Sequence, residues 1–184
     1  MVGPDIFGSK VNLRPLKTDD LTRRVEWLSD SECARLFTGS LPERAYGQED
    51  AERWGRSLEA DSSASVWAIE TKYGKHIGDV DLHDIDRNMG TAKLTILIGD
   101  KAYWGRGYGT DAVKSLLTSA FADLRLQKVN LRVYGFNGRA IRCYEKCGFV
   151  RVHDSGAQGT YPGEIYMTAS RDRFMAMESN AGTV

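Results

Sequence analysis

Three glycines at alternate positions, Gly105, Gly107 and Gly109, follow the apolar run Ile96-Leu97-Ile98 and precede a strongly periodic stretch that starts near Thr110. A strand that runs into glycines, and glycines that open a helix, leave backbone N–H groups open to close approach, because no Cβ intervenes. The helix start adds about half a positive charge. Such a turn can cradle a phosphate or a pyrophosphate. No Gly-Lys-Ser/Thr closes it, and Gly-x-Gly-x-Gly is not the dinucleotide fingerprint. Taken alone, the segment is also compatible with a connector that binds nothing.

A second set of residues lies further on. Asn137 stands where a helix N-cap belongs, and Tyr144 follows seven residues later. Seven helical steps make about 700°, so both side chains point the same way, about 10.5 Å apart. An extended ligand arm along this helix would meet an amide at one end and a phenol at the other. An N-cap with a core tyrosine fits the same spacing. A third set is Asp79, Asp81 and His83, which share one face of a strand while Val80 and Leu82 share the other. His83 beside Asp81 has the form of a general base with its orienting carboxylate. A solvated polar face has the same pattern. Cys143 and Cys147, four apart in a helix, would hold their Cβ atoms about 5–6 Å apart, too far for an easy disulfide. They and Cys33 read as small packing residues in a reducing compartment.

The elements that must position these groups follow from period and punctuation. Val11 to Leu16 alternates as a strand that Pro15 confines to an edge or an end. Leu21, Val25 and Leu28 take helical spacing, Ser29 to Gly39 reads as a short second helix, and Glu49 to Leu58 as a third. Val66–Thr71, His76–Asp86 and Lys93–Ile98 form three strands joined by tight turns, an antiparallel meander. Val113, Leu116, Leu117, Ala120 and Leu124 mark the helix after the glycines. Lys128–Val133 is a strand, Asn137–Cys147 a helix stopped by Gly148, and Phe149–Asp154 and Ile165–Ala169 are closing strands. The order predicts a mixed α/β fold, one sheet with helices packed on it.

Composition sets the outer limits. The 184 residues hold 25 Lys and Arg against 25 Asp and Glu, 41% apolar and 27% charged. Zero formal charge argues against a nucleic-acid binder that relies on bulk positive charge. No apolar run of about 18 residues offers a membrane span. The first residues lack a basic segment and an apolar core, so a cytoplasmic protein without a signal peptide is expected.

With the glycine loop and the Asn137–Tyr144 helix together, the sequence resembles the GNAT superfamily of acetyl-CoA-dependent N-acetyltransferases. It is most similar to the branch with ribosomal-protein N-terminal (RimJ/RimL-type), polyamine and some antibiotic acetyltransferases. Residues 9 to 170 carry the resemblance, including Leu13-Arg14-Pro15-Leu16, His76-Ile77-Gly78-Asp79 and the segment from Asn137 to Phe149. The family's loop pattern, Arg/Gln-x-x-Gly-x-Gly/Ala, places its glycines on Gly107 and Gly109, with Trp104 where the family has Arg or Gln. The resemblance implies a GNAT acyl-CoA N-acyltransferase fold, a mostly antiparallel sheet flanked by helices, in one domain over residues 1–184. It implies acetyl-CoA as co-substrate, no metal, and a pyrophosphate held by N–H groups of Gly105, Arg106, Gly107, Tyr108, Gly109 and Thr110. The pantetheine arm would run beside Leu97 and Ile98 and meet Asn137, with Arg139 or Arg142 at the 3′-phosphate.

The resemblance further implies direct attack of a neutral primary amine through a tetrahedral intermediate, with an N–H near Leu97 or Ile98 facing the developing oxyanion. Tyr144 would serve the leaving thiolate. A thiol pKa of about 8.5 against about 10 for a phenol makes full proton transfer uphill by roughly 2 kcal/mol, so a hydrogen bond is the other possibility. Asp81 and His83, or water alone, would remove the amine's proton. By residue type alone, Trp27, Phe37, Tyr46 and Trp54, with Glu43, Glu49, Asp50 and Glu52, are compatible with binding a cationic amine and also with a helix core and solvated charges. The partner is an amine, on a small molecule or a protein N-terminus, and not nucleic acid or membrane; a homodimer is common in the family. The alternatives are a CoA-binding module without turnover and a nucleotide-binding protein using the same loop.

Overall fold

The computed structural model describes residues 4–41, 44–152 and 163–181. The chain order is β1 (Ile6–Phe7), β2 (Val11–Pro15), α1 (Asp20–Ser29), α2 (Ser31–Thr38), α3 (Gln48–Ala60), β3 (Ser65–Thr71), β4 (His76–Asp86) and β5 (Thr91–Ile98). It continues with α4 (Tyr108–Ala122), β6 (Lys128–Tyr134), α5 (Gly138–Lys146), β7 (Val150–Arg151), β8 (Glu164–Ser170) and α6 (Arg171–Ala181). The strands form one sheet in the order β1-β2-β3-β4-β5-β6-β8-β7. Its neighbours are antiparallel except β5 and β6, which run parallel. This is the mixed α/β arrangement that the sequence predicts.

Alternation along the strands builds a core on each face. Val80 and Leu82 of β4, Leu94 of β5, and Leu131 and Val133 of β6 point to the face covered by α4, whose Val113, Leu116, Leu117 and Ala120 are buried. Ile141 and Tyr144 of α5 and Phe174 of α6 join that core. On the opposite face Leu97 packs with Trp27 and Leu28 of α1 and Cys33 of α2. Arg14 ties the two layers together, pairing with Asp20 of α1 and Glu70 of β3, each at 2.7 Å.

One expectation is corrected. The polar row on β4 does not face an open cleft along its whole length. Asp79 is only 2% exposed and Asp81 9%, because α1 lies over them and Arg24 forms a buried ion pair with Asp79. The chain continues beyond the stretch that carries the resemblance. Helix α6 follows β8 directly, and its Phe174 packs on Phe121 with ring centroids 5.5 Å apart. The two-residue β1 was not predicted, and β7 covers only the start of the strand expected at Phe149–Asp154; Asp154 lies outside the described residues.

Candidate active site

The site originates in how β5 leaves its neighbour. Thr91, Ala92 and Lys93 pair with Lys128, Val129 and Asn130 of β6, and the pairing stops there. Beyond it β5 stays on β4 while β6 diverges, and a cleft of about 1130 Å³ opens between them. Strand β4 can hold β5 this closely because residue 78 is glycine. A Cβ there would lie 2.1 Å from the carbonyl oxygen of Leu97.

The glycine turn forms one wall of the cleft. Gly105 and Gly107 take φ of +71° and +86°, which disfavours any side chain. Gly107 is also the N-cap of α4 and brings no capping side chain. The N–H groups of the first turn of α4 therefore lack a side-chain partner from the cap, and the helix dipole adds positive potential there. That is the fit a pyrophosphate requires. Gly105, Gly107, Gly109 and Thr110 line the cleft. Arg106 and Tyr108 turn their side chains elsewhere, Arg106 to the Ala102 carbonyl and Tyr108 edge-on to Tyr103. Neither side chain lines the cleft.

Strand register separates the two residues whose N–H is expected to face the arm. In an antiparallel ladder, residues alternately face the partner strand and turn away from it. Gly99 donates to Ile77 of β4, so Leu97 faces β4 too, while Ile96 and Ile98 direct their N–H and C=O into the cleft. The Ile98 carbonyl there accepts the indole N–H of Trp104 at 2.5 Å. Trp104, at the position where the family pattern has Arg or Gln, is thus fixed to the strand. The Arg139 guanidinium stacks over its ring at 3.5 Å. Arg139 therefore reaches across the cleft from α5 and is not a solvated charge. Arg142 also lines the cleft.

Asn137 and Tyr144 both line the cleft, as their spacing requires. Asn137 Oδ1 caps α5 by accepting from the Ala140 N–H at 3.1 Å. Its Nδ2 donates to the Leu36 carbonyl of α2 at 3.2 Å. Tyr144 is buried, with its ring edge-on to Phe149 at 5.8 Å. Burial, and to a lesser extent the Cys143 and Cys147 thiols, pushes its phenol above the usual range. Cys143 lies in the same wall and accepts a hydrogen bond from Thr110 Oγ1 at 3.4 Å, a contact the sequence spacing could not show.

His83 lines the cleft and Asp81 supports it from behind, with Nδ1 to Oδ1 at 2.7 Å. The hydrogen bond from Asp81 raises the imidazole's pKa, against some desolvation. Burial in turn raises the Asp81 carboxyl, against the hydrogen bond from His83. Two of the four aromatics expected to bind a substrate cation already face an internal one. Arg24 stacks on Trp54 at 3.6 Å and faces Phe37 at 5.3 Å. Asp50 is occupied by Arg44 and Arg53, and Glu43 lies outside the described residues. Among the described residues no group of His, Cys, Asp and Glu is placed to hold a metal ion, and no helix is long and apolar enough to cross a membrane.

A sheet split between parallel strands, a glycine turn at a helix start and a phenol in the cleft define an acyl-CoA-dependent transferase. Residues 10–150 match the acetyltransferase (GNAT) domain family, and the chain belongs to that family. It is 35% identical over 145 residues to an uncharacterized N-acetyltransferase, YokL, of the SPbeta prophage in Bacillus subtilis, covering 78% of each chain. It is 28% identical to spermidine N(1)-acetyltransferase of Escherichia coli, over 94% of this chain and 92% of that one. The crystal structure of aminoglycoside acetyltransferase AAC(6′)-Ib with coenzyme A superposes with a TM-score of 0.73 at 27% identity, over 91% of this chain and 99% of that one. The protein is an acetyl-CoA-dependent N-acetyltransferase, and these likenesses support turnover over a non-catalytic CoA-binding role.

Proposed function

We propose that the protein acetylates a primary amine by direct attack on the thioester, with His83 as base, Asp81 as its orienting carboxylate and Tyr144 as hydrogen-bond donor to the sulfur. The observation that carries this reading is that the glycine turn, Tyr144 and His83 line one continuous cleft. Acetyl-CoA supplies the electrophilic acetyl carbon. The turn at Gly105–Thr110 holds the pyrophosphate, and Arg139 and Arg142 lie on the side where the remaining phosphate charge is met. Ile96 and Ile98 offer N–H groups to the arm and to the developing oxyanion. An Nδ1–H held by Asp81 makes Nε2 the basic nitrogen of His83, available to take the amine's proton.

Tyr144 acts without ionising. Its phenol starts above a thiol in pKa, and burial raises it further. Donating a hydrogen bond to the leaving thiolate needs no proton transfer, and the sulfur is protonated later from solvent. Spermidine and aminoglycosides, the acceptors of the named relatives, share a primary amine with the acceptor proposed here. The test is thiol release from acetyl-CoA with a broad amine panel, each product identified by mass spectrometry. Amine-dependent release with an acetylated product supports the reading; release without any acetylated amine refutes it.

A further inference from the structure

The acceptor end of the cleft has a charge pattern that the polycation-acetylating relatives do not predict. Lys93, Arg132, Arg139, Arg142 and Lys146 line the cleft, and among its described lining residues none is Asp or Glu. Arg139, Arg142 and Lys146 belong to α5, which meets the glycine turn through Cys143 and Thr110, and on the reading above the coenzyme phosphates would offset their charge. Lys93 and Arg132 lie elsewhere, on the strands that flank the base of the split.

Register fixes their relation to His83. Lys93 is the cross-strand partner of His83 on β4 and of Asn130 on β6. Two residues further along both parallel strands, Thr95 and Arg132 stand level across the opening, and Asp81 backs Thr95. His83, Lys93, Thr95, Asn130 and Arg132 therefore share one sheet face, opposite the face packed on α4. Helices α1 to α3 cover that face over Asp79 and Leu97, but His83 and Lys93 remain open, with side chains 34% and 60% exposed. Lys93 pairs with Asp84 at 2.8 Å, an ion pair open to water on both sides. Such a pair is weak and yields readily to a ligand. Arg132 Nε lies 3.2 Å from Glu164, whose side chain is fully buried. That contact holds the guanidinium in place, with the Arg132 side chain 45% exposed.

We propose that the acceptor is an amine carrying an anionic group, recognised by Lys93 and Arg132 while its nitrogen lies by His83, and that polycations are poor substrates. This rests on the amine-acetylation reading above. A polycation would enter beside two cationic side chains, and the carboxylates nearest to them, Asp84 and Glu164, are already paired with those two. An anion at the same place gains two charge-assisted partners, one of them a guanidinium suited to two-point contact.

The experiment uses the full chain with saturating acetyl-CoA. Acceptors are ω-amino acids with two to five methylenes, their primary amides, O-phosphoethanolamine and spermidine. For the best chain length we expect kcat/KM to favour the acid over its amide by about tenfold or more, and spermidine to fall below that acid. The ratio of acid to amide should drop toward one in Lys93→Gln and in Arg132→Gln, and persist in Arg132→Lys. Lys93→Gln, at an exposed position, keeps the test valid if Arg132→Gln unfolds by removing a charged partner of the buried Glu164. Phosphoethanolamine preferred over every carboxylate would identify the anion as a phosphate. Spermidine as the best acceptor, or an acid-to-amide ratio unmoved by Lys93→Gln, and by Arg132→Gln where that variant folds, overturns the inference and leaves amine acetylation standing. Bound acetyl-CoA with no transfer to any amine overturns both.

Discussion

Replacing Tyr144 by phenylalanine isolates one oxygen atom. The ring stays, with its contact to Phe149 at 5.8 Å and its place in the α4-side core. Loss of a single hydroxyl should cost no more than about 1 kcal/mol of folding stability. Catalysis should suffer more. A hydrogen bond to a charged partner contributes about 1.5–3 kcal/mol, and the thiolate carries that charge only as the acetyl group departs. At about 1.36 kcal/mol per decade, kcat should fall about 10- to 150-fold, while KM for acetyl-CoA changes little. The pH profile separates hydrogen bonding from acid catalysis. Because burial raises the phenol's pKa, Tyr144 stays protonated through the working range, and any alkaline limb of kcat should persist in the variant. Purified Tyr144→Phe assayed by thiol release across pH is the measurement. A kcat within threefold of the parent would remove Tyr144 from the chemistry, and an alkaline limb that disappears in the variant would show that it does ionise.

The remaining expectations concern base, cradle and core. The Asp81 carboxylate raises the pKa of the His83 imidazole, and the base is active only when deprotonated. Activity should therefore rise with pH through a raised His83 value, and Asp81→Asn should shift the acidic limb of kcat/KM to lower pH. His83→Ala should abolish that limb, and a parental limb in both variants would reject the pair as the base. Gly107 holds φ of +86°, so Gly107→Ala should cost about 1–2 kcal/mol in strain and weaken CoA binding in calorimetry; unchanged affinity would place the pyrophosphate elsewhere. Phe174 is 2% exposed, so Phe174→Ala should lower stability by about 3–5 kcal/mol in urea unfolding; a loss under about 1 kcal/mol would make α6 an appendage.

Much of this site was legible from spacing alone, because short-range geometry carries it. The glycine turn, the Asn137–Tyr144 helix and the Asp81–His83 alternation each depend on the period of one element, and the sheet meander on turns between neighbours. Coverage was not legible. Asp79, Asp81 and His83 occupy equivalent alternate positions, yet α1 buries the first two and leaves His83 in the cleft. That difference comes from Arg24, a residue in an amphipathic helix that reads as one more surface charge until it meets Asp79 and Trp54. Helix α6 escaped for a related reason: Phe174 is its one buried side chain among the described residues, and one anchor gives little periodic signal. Lys93 and Arg132 gain meaning only from register, since nothing local places a residue of β5 level with one of β6.

The split between β5 and β6 also explains why the cleft takes an extended ligand. Unpaired strand edges invite aggregation, and proteins keep them short or covered. Among the described residues the outer edges here are β1 and β7, two residues each. The internal edge of β5 is longer, running from Leu94 to Ile98 without a partner on the β6 side. A sheet that trims its outer edges yet leaves this interior one open has left the position for something other than a strand of its own. Ile96 and Ile98 direct backbone groups into that gap, and Trp104 satisfies only the Ile98 carbonyl. On the reading proposed above, an arm built from amide units and ending in a thioester beside Tyr144 would supply the missing pairing and bring the acetyl carbon to where His83 faces the cleft.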